Sequence, residues 1–482
     1  MAQDSEASAS VCPLTGTPMG DTLRGIGAIA SAQLISRAVT FLLNVLTARL
    51  AAPSSYGISY VSFQLFSNLS LFLTKEGFRK VALRTQLDDG VPEDGAMLRS
   101  SLNLGWCGAA FSVVMTLPLA GYWAYTKPAA ALGSYETAVA LMAAASMLEA
   151  LGEPFLINAL VVFDFGTRAW GEAVALLSRT AVMCLLSVRY GDLPFAFAAS
   201  QLLYSMVWVA WFSRRAGSAL WPARAHGGKF LLPQHATLLA EFAGMAVVKL
   251  VLTEGEKLLL LVFFSENDWG VFGLVSNFGS IILRLLFAPT EEVAYSAFTA
   301  SAPAQRQWGL LRALLLLQGG VGWLGACFGP GFARLVIRIL YGTEWAASQA
   351  PMVLASYCGL LFCMAVNGIL EAFMYAQCTP SWVGVCRRSQ FAISLALMAA
   401  AWLGRPYGPV ALVWANIAAT TCRAVLCLVF VRRHLGPGRA ELRLGPALQL
   451  MGLLALAGGA SSMAVPRVAA DGAVPWPRVA AA

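Results

Sequence analysis

Charged residues are scarce in this sequence. Asp, Glu, Lys and Arg make up 12% of its 482 residues, against about 25% in ordinary soluble domains, and the mean hydropathy is +0.67. Apolar runs of about 20 residues, the length that crosses a hydrocarbon core, follow one another from residue 26 to residue 465. The interruptions are too short for a large soluble domain. The sequence therefore predicts an integral membrane protein built as one helical bundle.

Motifs for metal and nucleotide binding are also missing. The ten cysteines form no C-x-x-C pair and there are only three histidines, so the spacing of a zinc site does not occur. No G-x-x-x-x-G-K-[ST] pattern is present, which argues against ATP-driven transport within this chain. The acidic stretch 88–94 hints at a metal-dependent glycosyltransferase, but its Gly and Pro content favours a solvated loop. We therefore expect no enzyme activity, no cofactor and no metal.

Polar or Gly- and Pro-rich segments divide the apolar runs into thirteen predicted spans. They are 26–50, 56–74, 100–123, 134–155, 171–188, 193–212, 238–264, 270–290, 309–330, 351–376, 389–403, 408–431 and 445–465. If the N-terminus is cytosolic, the segments between spans place eighteen Lys and Arg on the cytosolic side and at most seven on the other. Because cytosolic loops are enriched in Lys and Arg, this orientation is predicted. The polar first 25 residues indicate no cleavable signal, so the first span starts insertion.

Two pairs of segments resemble each other at a constant helix offset. Tyr56-Gly57 after span 1 matches Trp269-Gly270 after span 7, and Leu148-Glu149-Ala150 in span 4 matches Leu370-Glu371-Ala372 in span 10. Both matches pair span n with span n+6, and an even offset gives the two copies the same orientation. The expected fold is an all-α polytopic bundle of about thirteen transmembrane helices, in two six-helix lobes with a central cavity. The predicted boundaries are a cytosolic tail 1–25, an N-lobe 26–212, a basic linker 213–237, a C-lobe 238–431, and a further span with a tail at 432–482.

Polar side chains inside the spans recur at helical spacing. In span 1 one face carries Gln33, Arg37, Thr40, Asn44 and Thr47. Comparable polar positions in spans 2, 7 and 8 are Gln64, Asn68, Lys249, Thr253, Glu256, Lys257, Asn277 and Arg284. Ionisable groups in a membrane face protein or water, so these stripes either pair between helices or line a hydrated cavity. A cationic cavity is favoured, because the basic residues of the stripes outnumber their one carboxylate.

A cationic cavity implies an anionic substrate, and a phosphate or pyrophosphate headgroup fits that description. Its predicted ligands are Arg37, Lys249, Lys257 and Arg284, arginine acting by a bidentate fork and lysine as a point charge. Near the cytosolic ends of their spans lie three carboxylates, Glu149, Glu153 and Glu371. They are either paired interfacial charges or a gate or coupling-ion site.

The stretch TKEGFRKVALR, residues 74–84, is basic with apolar residues interleaved. It is predicted to form a helix at the membrane interface. Its charge is explained either by topology alone or by capture of lipid headgroups on the cytosolic side. The candidate capture residues are Lys75, Glu76, Arg79, Lys80 and Arg84.

Four segments together resemble the RFT ("requiring fifty-three") family of endoplasmic-reticulum membrane proteins. They are SRAVTFLLNVLTARL, LTKEGFRKVALR, VVKLVLTEGEKLLLLVF and AVNGILEAFMYA, and the resemblance runs from about residue 22 to 431. The motif positions are Arg37, Glu76, Arg79, Lys80, Glu254, Glu256, Lys257, Asn367 and Glu371. The resemblance places Asn367 among the cavity residues. The family belongs to the multidrug, oligosaccharidyl-lipid and polysaccharide exporter superfamily, whose members usually have twelve or fourteen spans rather than thirteen.

Membership of that family would imply a role in N-glycosylation. The implied substrate is the dolichol-pyrophosphate-linked, mannose-rich oligosaccharide, moved from the cytosolic to the lumenal leaflet by alternating access. The implied partners are this lipid, the surrounding membrane lipid and other membrane proteins of the glycosylation pathway. Two alternatives stay open: a non-transporting accessory or scaffold protein of that pathway, and an ion-coupled antiporter of small molecules. A cationic drug would favour an acidic cavity, which the stripes do not predict.

Overall fold

The computed structural model describes residues 39–87, 96–129, 133–161, 165–214, 221–222, 233–299, 304–378, 380–435 and 452–459. In these ranges all regular structure is helical. The helices are α1 (Val39–Arg49), α2 (53–87), α3 (Ala96–Tyr125), α4 (Tyr135–Leu151), α5 (Glu153–Val161), α6 (Phe165–Tyr190), α7 (Leu193–Ser213), α8 (Pro233–Phe263), α9 (Glu266–Thr299), α10 (Ala304–Tyr341), α11 (Thr343–Ala347), α12 (Ala350–Gln377), α13 (Pro380–Gly404), α14 (Pro409–Leu435) and α15 (452–459). Helix α2 contains π-helical stretches at Ile58–Phe63 and Thr74–Phe78, and α9 contains one at Leu283–Phe287.

Eight helices of the described part are long and apolar enough to cross a membrane. Predicted spans 2 to 12 each overlap one long helix, but α2, α8 and α13 carry too many polar or charged side chains to belong to the eight. The predicted total of thirteen spans is therefore not confirmed. Span 1 is described only from Val39, and span 13 only at 452–459.

Short connections with explicit end signals separate consecutive helices. Gly191 and Gly342 follow α6 and α10 with φ of 68° and 97°, a conformation that glycine adopts without steric cost. Ser265 caps α9 by a capping box, in which its hydroxyl accepts from the backbone N–H of Asp268 and the Asp268 carboxylate accepts from the Ser265 N–H. The chain therefore reverses direction within a few residues at these points.

The helices form two halves, α1–α7 and α8–α14, that share a large buried core at one end. One buried cluster takes residues from both halves, including Tyr56 and Trp345. Toward the other end the apolar clusters around Trp208 and around Phe373 each lie within one half, whereas the cluster around Phe78 of α2 also packs against Leu238, Leu239 and Phe242 of α8. Apart from α8, which stays packed against α2, the two halves thus diverge toward the end that is predicted to be cytosolic.

The two glycines of the predicted repeat contact each other at the shared end. A Cβ on Gly57 would lie 2.6 Å from the backbone nitrogen of Gly270, and a Cβ on Gly270 would collide with the carbonyl of Pro53. Nearby, the Trp345 indole donates a 2.9 Å hydrogen bond to the carbonyl of Ala48, joining the second half to the first. Equivalent positions that touch are expected where a pseudo-two-fold axis passes between two repeats.

Candidate functional site between the two halves

Where the halves diverge, α2 of the first half still contacts α8 of the second. A cavity of about 170 Å³ lies between these helices. It is lined from α2 by Asn68, Phe72, Lys75 and Glu76, and from α8 by Ala246, Lys249, Leu250, Thr253 and Glu254. The cavity therefore brings together residues that the sequence assigns to different lobes.

Glu76 is held by two lysines, one from each half. Its Oε1 lies 2.6 Å from the Lys249 ammonium of α8, and its Oε2 lies 2.7 Å from the Lys80 ammonium one turn along α2. The lysines are nearly half exposed, at 49% and 45%. Exposed ion pairs contribute only about 0–1 kcal/mol, so an incoming anion can replace this carboxylate at little cost. Two ammonium groups on one carboxylate also leave one positive charge in excess.

A second contact across the halves involves Glu254, which is more enclosed. The Asn68 amide donates to its Oε1 at 2.8 Å, and the Lys257 ammonium donates to its Oε2 at 2.9 Å. The Glu254 and Lys257 side chains are 13% and 31% exposed. With both oxygens engaged, Glu254 connects α8 to α2 and places the Lys257 charge beside the cavity.

The π-helical stretch Thr74–Phe78 directs adjacent charges of α2 to opposite sides. Lys75 bonds to Glu149 of α4 within the first half, whereas Glu76 bonds to Lys249 of the second half. A π-bulge adds one residue to a helical turn and so changes which side chains face a neighbour; such bulges are frequent at functional sites. Local helix geometry therefore sets which charges of this basic stretch reach the cavity.

Predicted headgroup residues and predicted gating carboxylates are paired inside the first half. The Lys75 ammonium lies 2.7 Å from Glu149 Oε1, and the guanidinium of Arg79 makes two hydrogen bonds to Glu153, one of them 2.8 Å from Nε to Oε2. The Gln201 amide donates to the other oxygen of Glu149 at 3.4 Å. Beside these pairs is a cavity of about 280 Å³ lined by Lys75, Arg79, Glu149, Glu172, Leu176, Tyr204 and Trp208.

The basic stretch 74–84 is not a separate interfacial helix, because α2 continues through it to residue 87. Its inward-facing charges find partners on α4, α5 and α8, so the helix does not need to turn into the interface. Lys80 and Lys249 are the more exposed basic groups of this region, compared with Lys75 and Arg79 at 35% and 19%.

Of the other predicted polar positions, some lie inside the first half and others lie where the two halves contact each other. The Tyr60 hydroxyl donates to Asn44 at 3.1 Å inside the first half. The Asn277 amide donates to the Tyr56 hydroxyl at 3.4 Å, across the halves, and Gln64 donates to the cavity residue Asn68 at 3.4 Å. On α1, Thr40 is half-buried and Thr47 is buried, while Leu42 and Leu46 of the opposite face are exposed.

Arg284 lies on α9 seven residues after Asn277, which is nearly two full turns and hence close to the same face. Its side chain is exposed and makes no ion pair within the described part of the chain. Gln33, Arg37 and the acidic stretch 88–94 lie outside the described residues, as does the Arg84 side chain.

Two predicted carboxylates are in the second half rather than at the cavity. Glu256 accepts a hydrogen bond from the Asn416 amide of α14, and Glu371 lies on α12 one turn beyond Asn367. The polar stripe of span 7 predicts Glu256 at the cavity, but the structure places Glu254 there. Its position three residues before Lys257, the spacing of an intrahelical ion pair, is the signal that identifies it. In the described residues no three His, Cys, Asp or Glu side chains are arranged to hold a metal ion.

The described helices thus form a two-halved bundle with a cavity between its halves that is lined by two lysines and two glutamates. The backbone is similar to that of the Lipid II flippase MurJ in an inward closed conformation, with a TM-score of 0.63, 13% identity, and 92% of this chain and 98% of that chain covered. It is also similar to an inward-facing multidrug resistance MATE family transporter of the MOP superfamily, with a TM-score of 0.54, 12% identity, and coverage of 84% and 96%. Identities this low show the fold alone. The class that the fold defines is a polytopic, two-halved helical bundle of the kind seen in these two proteins.

Sequence comparison then defines the family. The Rft-1 (Rft protein) family model matches residues 21–463, and the chain belongs to this family, as its motif segments predict. The Dictyostelium discoideum "Man(5)GlcNAc(2)-PP-dolichol translocation protein RFT1" is 26% identical over 413 residues, covering 73% of this chain and 76% of that protein. The Mus musculus protein of the same name is 26% identical over 475 residues, with coverage of 89% and 86%.

Proposed function

We propose that this protein translocates Man(5)GlcNAc(2)-PP-dolichol from the cytosolic to the lumenal leaflet of the endoplasmic-reticulum membrane, for protein N-glycosylation. The observation that carries the proposal is the cavity between the two halves, where the half-exposed Lys249 meets Glu76, in a chain whose relatives bear that name. The excess of Lys and Arg in the predicted cytosolic segments supports a multi-pass arrangement with a cytosolic N-terminus. No enzymatic step is part of the proposal.

The pyrophosphate is the group that the cavity suits. Lys249 and Lys80 present exposed ammonium groups that share Glu76, so a pyrophosphate oxygen can take the place of that carboxylate. Lys257 beside the cavity and Arg284, close to the face of α9 that carries Asn277, supply further positive charge. Arg37 is assigned to the same role from its position in the polar stripe of span 1.

The sugar and the lipid tail require different surroundings. An oligosaccharide is much larger than a cavity of about 170 Å³, so its passage needs the halves to separate further where they already diverge. The dolichol chain stays in lipid beside the protein. Rocking of the two halves about their shared core, the movement typical of repeat-built transporters, would then expose the headgroup to one leaflet and then the other.

A reconstitution experiment tests the proposal. Full-length protein is placed in liposomes with a labelled dolichol-pyrophosphate oligosaccharide, and its exchange between leaflets is followed with a membrane-impermeant reagent that modifies the outer label. Lys249→Ala should slow exchange by about tenfold or more if the ammonium contributes at least 1.4 kcal/mol to headgroup binding. Lys249→Arg should retain most of the rate, because it keeps the positive charge.

Folding is not a confounding factor at this position. Lys249 is half exposed, and Glu76 keeps Lys80 as a partner when Lys249 is removed. The matched control is Lys127→Ala, an exposed lysine of the segment after α3, which should leave the rate unchanged. A wild-type protein that does not speed exchange, while restoring glycosylation to cells that lack the endogenous protein, would overturn translocation in favour of the accessory role.

A further inference from the structure

A second polar cluster lies inside the C-terminal half, away from the α2–α8 cavity. Its four polar side chains come from α9, α10 and α12: Glu291, Gln318, Asn367 and Glu371. The Gln318 amide donates to Glu291 Oε1 at 3.2 Å and to the carbonyl of Ala365 at 3.0 Å. The Glu291 carboxylate lies directly on Gly368, where any Cβ would collide with it. The absence of a side chain at Gly368 is what lets this carboxylate reach the surface of α12 between Asn367 and Glu371.

The cluster contains two carboxylates and no basic partner. Glu371 follows Gly368 by three residues on α12 and therefore lies near the part of that helix that Glu291 reaches. In the described part of the chain no lysine or arginine forms an ion pair with either glutamate; Arg423 of α14 instead donates to Thr420. The surrounding core is apolar and includes the fully buried Phe373. Negative charge in such a place is costly, and it is neutralised either by protonation of the carboxyls or by a bound cation.

Two buried amide oxygens lack hydrogen-bond partners in the same cluster. Gln318 is 3% exposed and its Oε1 has no partner, and Asn367 is 7% exposed and its Oδ1 has none. Exchanging the oxygen and nitrogen of the Gln318 amide does not help, because both of its neighbours, Glu291 and the Ala365 carbonyl, are acceptors. The Gln318 oxygen is thus left without a donor, and such an atom is normally satisfied by water or an ion.

The repeat in the N-terminal half shows how the same position is neutralised there. Glu149 occupies the place of Glu371 in the matching Leu-Glu-Ala segment, and Lys75 from α2 provides its cation at 2.7 Å. In the C-terminal half the corresponding second helix is α9, where the 213-residue offset from Tyr56 to Trp269 places Ala288 at the position of Lys75 and Glu291 lies three residues further on. Within the described residues Glu371 therefore has no ion pair of the kind that Lys75 forms with Glu149, and Arg284 of α9 is exposed and makes none.

We propose that Glu291, Gln318, Asn367 and Glu371 bind a sodium ion. All four offer oxygen donors, which hard cations prefer. A monovalent ion suits the set better than a divalent one, since half of the donors are neutral amides, and calcium and magnesium require six or more oxygens in defined geometry. Sodium binding at this cluster does not depend on the proposed function. The consequence that a sodium gradient would drive movement of the C-terminal half during transport does rest on it.

Direct binding tests the site without any lipid-linked sugar. Purified full-length protein in nanodiscs is titrated with radioactive sodium at constant ionic strength, with potassium and choline as competitors. Wild-type protein should bind one sodium ion per chain, displaced by neither competitor at equal concentration. Glu291→Gln and Gln318→Leu should each weaken binding by about tenfold or more. Glu292→Gln alters the next, exposed glutamate of α9 and should bind sodium like the wild type.

Thermal unfolding of the same proteins separates a lost site from a lost fold. Sodium should raise the unfolding temperature of wild type and Glu292→Gln and leave that of Glu291→Gln unchanged, because only a folded-state ligand stabilises. Glu291→Gln itself removes a repulsion with Glu371 and should fold. The proposal is overturned if folded wild type binds no sodium, if Glu291→Gln binds it equally well, or if Glu292→Gln also loses it. If the protein binds sodium but does not move the lipid, the sodium site is supported and the proposed function is rejected.

Discussion

The buried ion pair between Arg79 and Glu153 gives a sharp prediction for stability. Glu153 is completely buried and the Arg79 side chain is 19% exposed, with two hydrogen bonds joining them. Arg79→Ala leaves the carboxylate buried without its cation. Breaking a buried pair in this way costs about 3–5 kcal/mol, mostly from the uncompensated charge rather than from the lost attraction.

A surface pair on α6 provides the matched control. Arg168 and Glu172 form a 2.9 Å pair one turn apart, with side chains 39% and 45% exposed. Arg168→Ala should cost only about 0.3–0.5 kcal/mol, because solvent already screens both charges. The two arginine deletions should therefore differ by nearly tenfold in free energy, although each removes one salt bridge of the same chemical type.

The measurement is equilibrium unfolding of the purified protein in mixed micelles, titrated with SDS and followed by tryptophan fluorescence. A double-mutant cycle with Arg79→Met and Glu153→Leu isolates the interaction between the two groups. Removing both charges together should cost clearly less than the sum of the single changes, since no unpaired charge is left. The reasoning fails if Arg79→Ala costs no more than Arg168→Ala, or if the cycle shows no coupling.

Two further substitutions test how the halves are joined. Gly270→Ala places a Cβ against the carbonyl of Pro53 and should lower the free energy of unfolding by about 1–3 kcal/mol in the same SDS titration. The control Gly244→Ala has open space around its Cβ and should be neutral or stabilising. Equal effects of the two substitutions would contradict the close approach of Gly270 to Pro53. Trp345→Phe removes the indole donor from the carbonyl of Ala48 and should cost about 1–3 kcal/mol of unfolding free energy, and a change of below about 0.5 kcal/mol would show that this bond does not hold the halves together.

Helix positions are well predicted because the bilayer fixes the length of an apolar run. The predicted span 193–212 corresponds to α7, Leu193–Ser213, and the predicted span 351–376 to α12, Ala350–Gln377. The prediction is poor where side-chain partners decide the outcome. The sequence predicts span 2 as 56–74, but α2 extends to residue 87 because its basic residues find carboxylates on neighbouring helices.

The site itself could be predicted in kind but not in its pairings. The polar stripes of spans 2 and 7 do meet, yet Lys249 finds its partner 173 residues away at Glu76, and Asn68 finds Glu254 at a separation of 186 residues. Which face of α8 meets α2 depends on how the halves pack, and no periodicity within one helix contains that information. Composition therefore indicates a positive cavity, whereas the neutralising carboxylates appear only in three dimensions.

If the protein has the proposed function, the contact between Lys249 and Glu76 has two linked roles. It joins α8 to α2 across the diverging end of the halves, and it occupies the ammonium group that would bind a pyrophosphate. A headgroup that displaces Glu76 therefore also removes a bond between the halves. The headgroup would then bind the separated halves more tightly than the joined ones, and only a difference in affinity for two conformations lets a ligand shift the equilibrium between them. Because the exposed pair is worth at most about 1 kcal/mol, a doubly charged headgroup can break it and still bind with net gain. Substrate capture and separation of the halves would thus be a single event at one lysine.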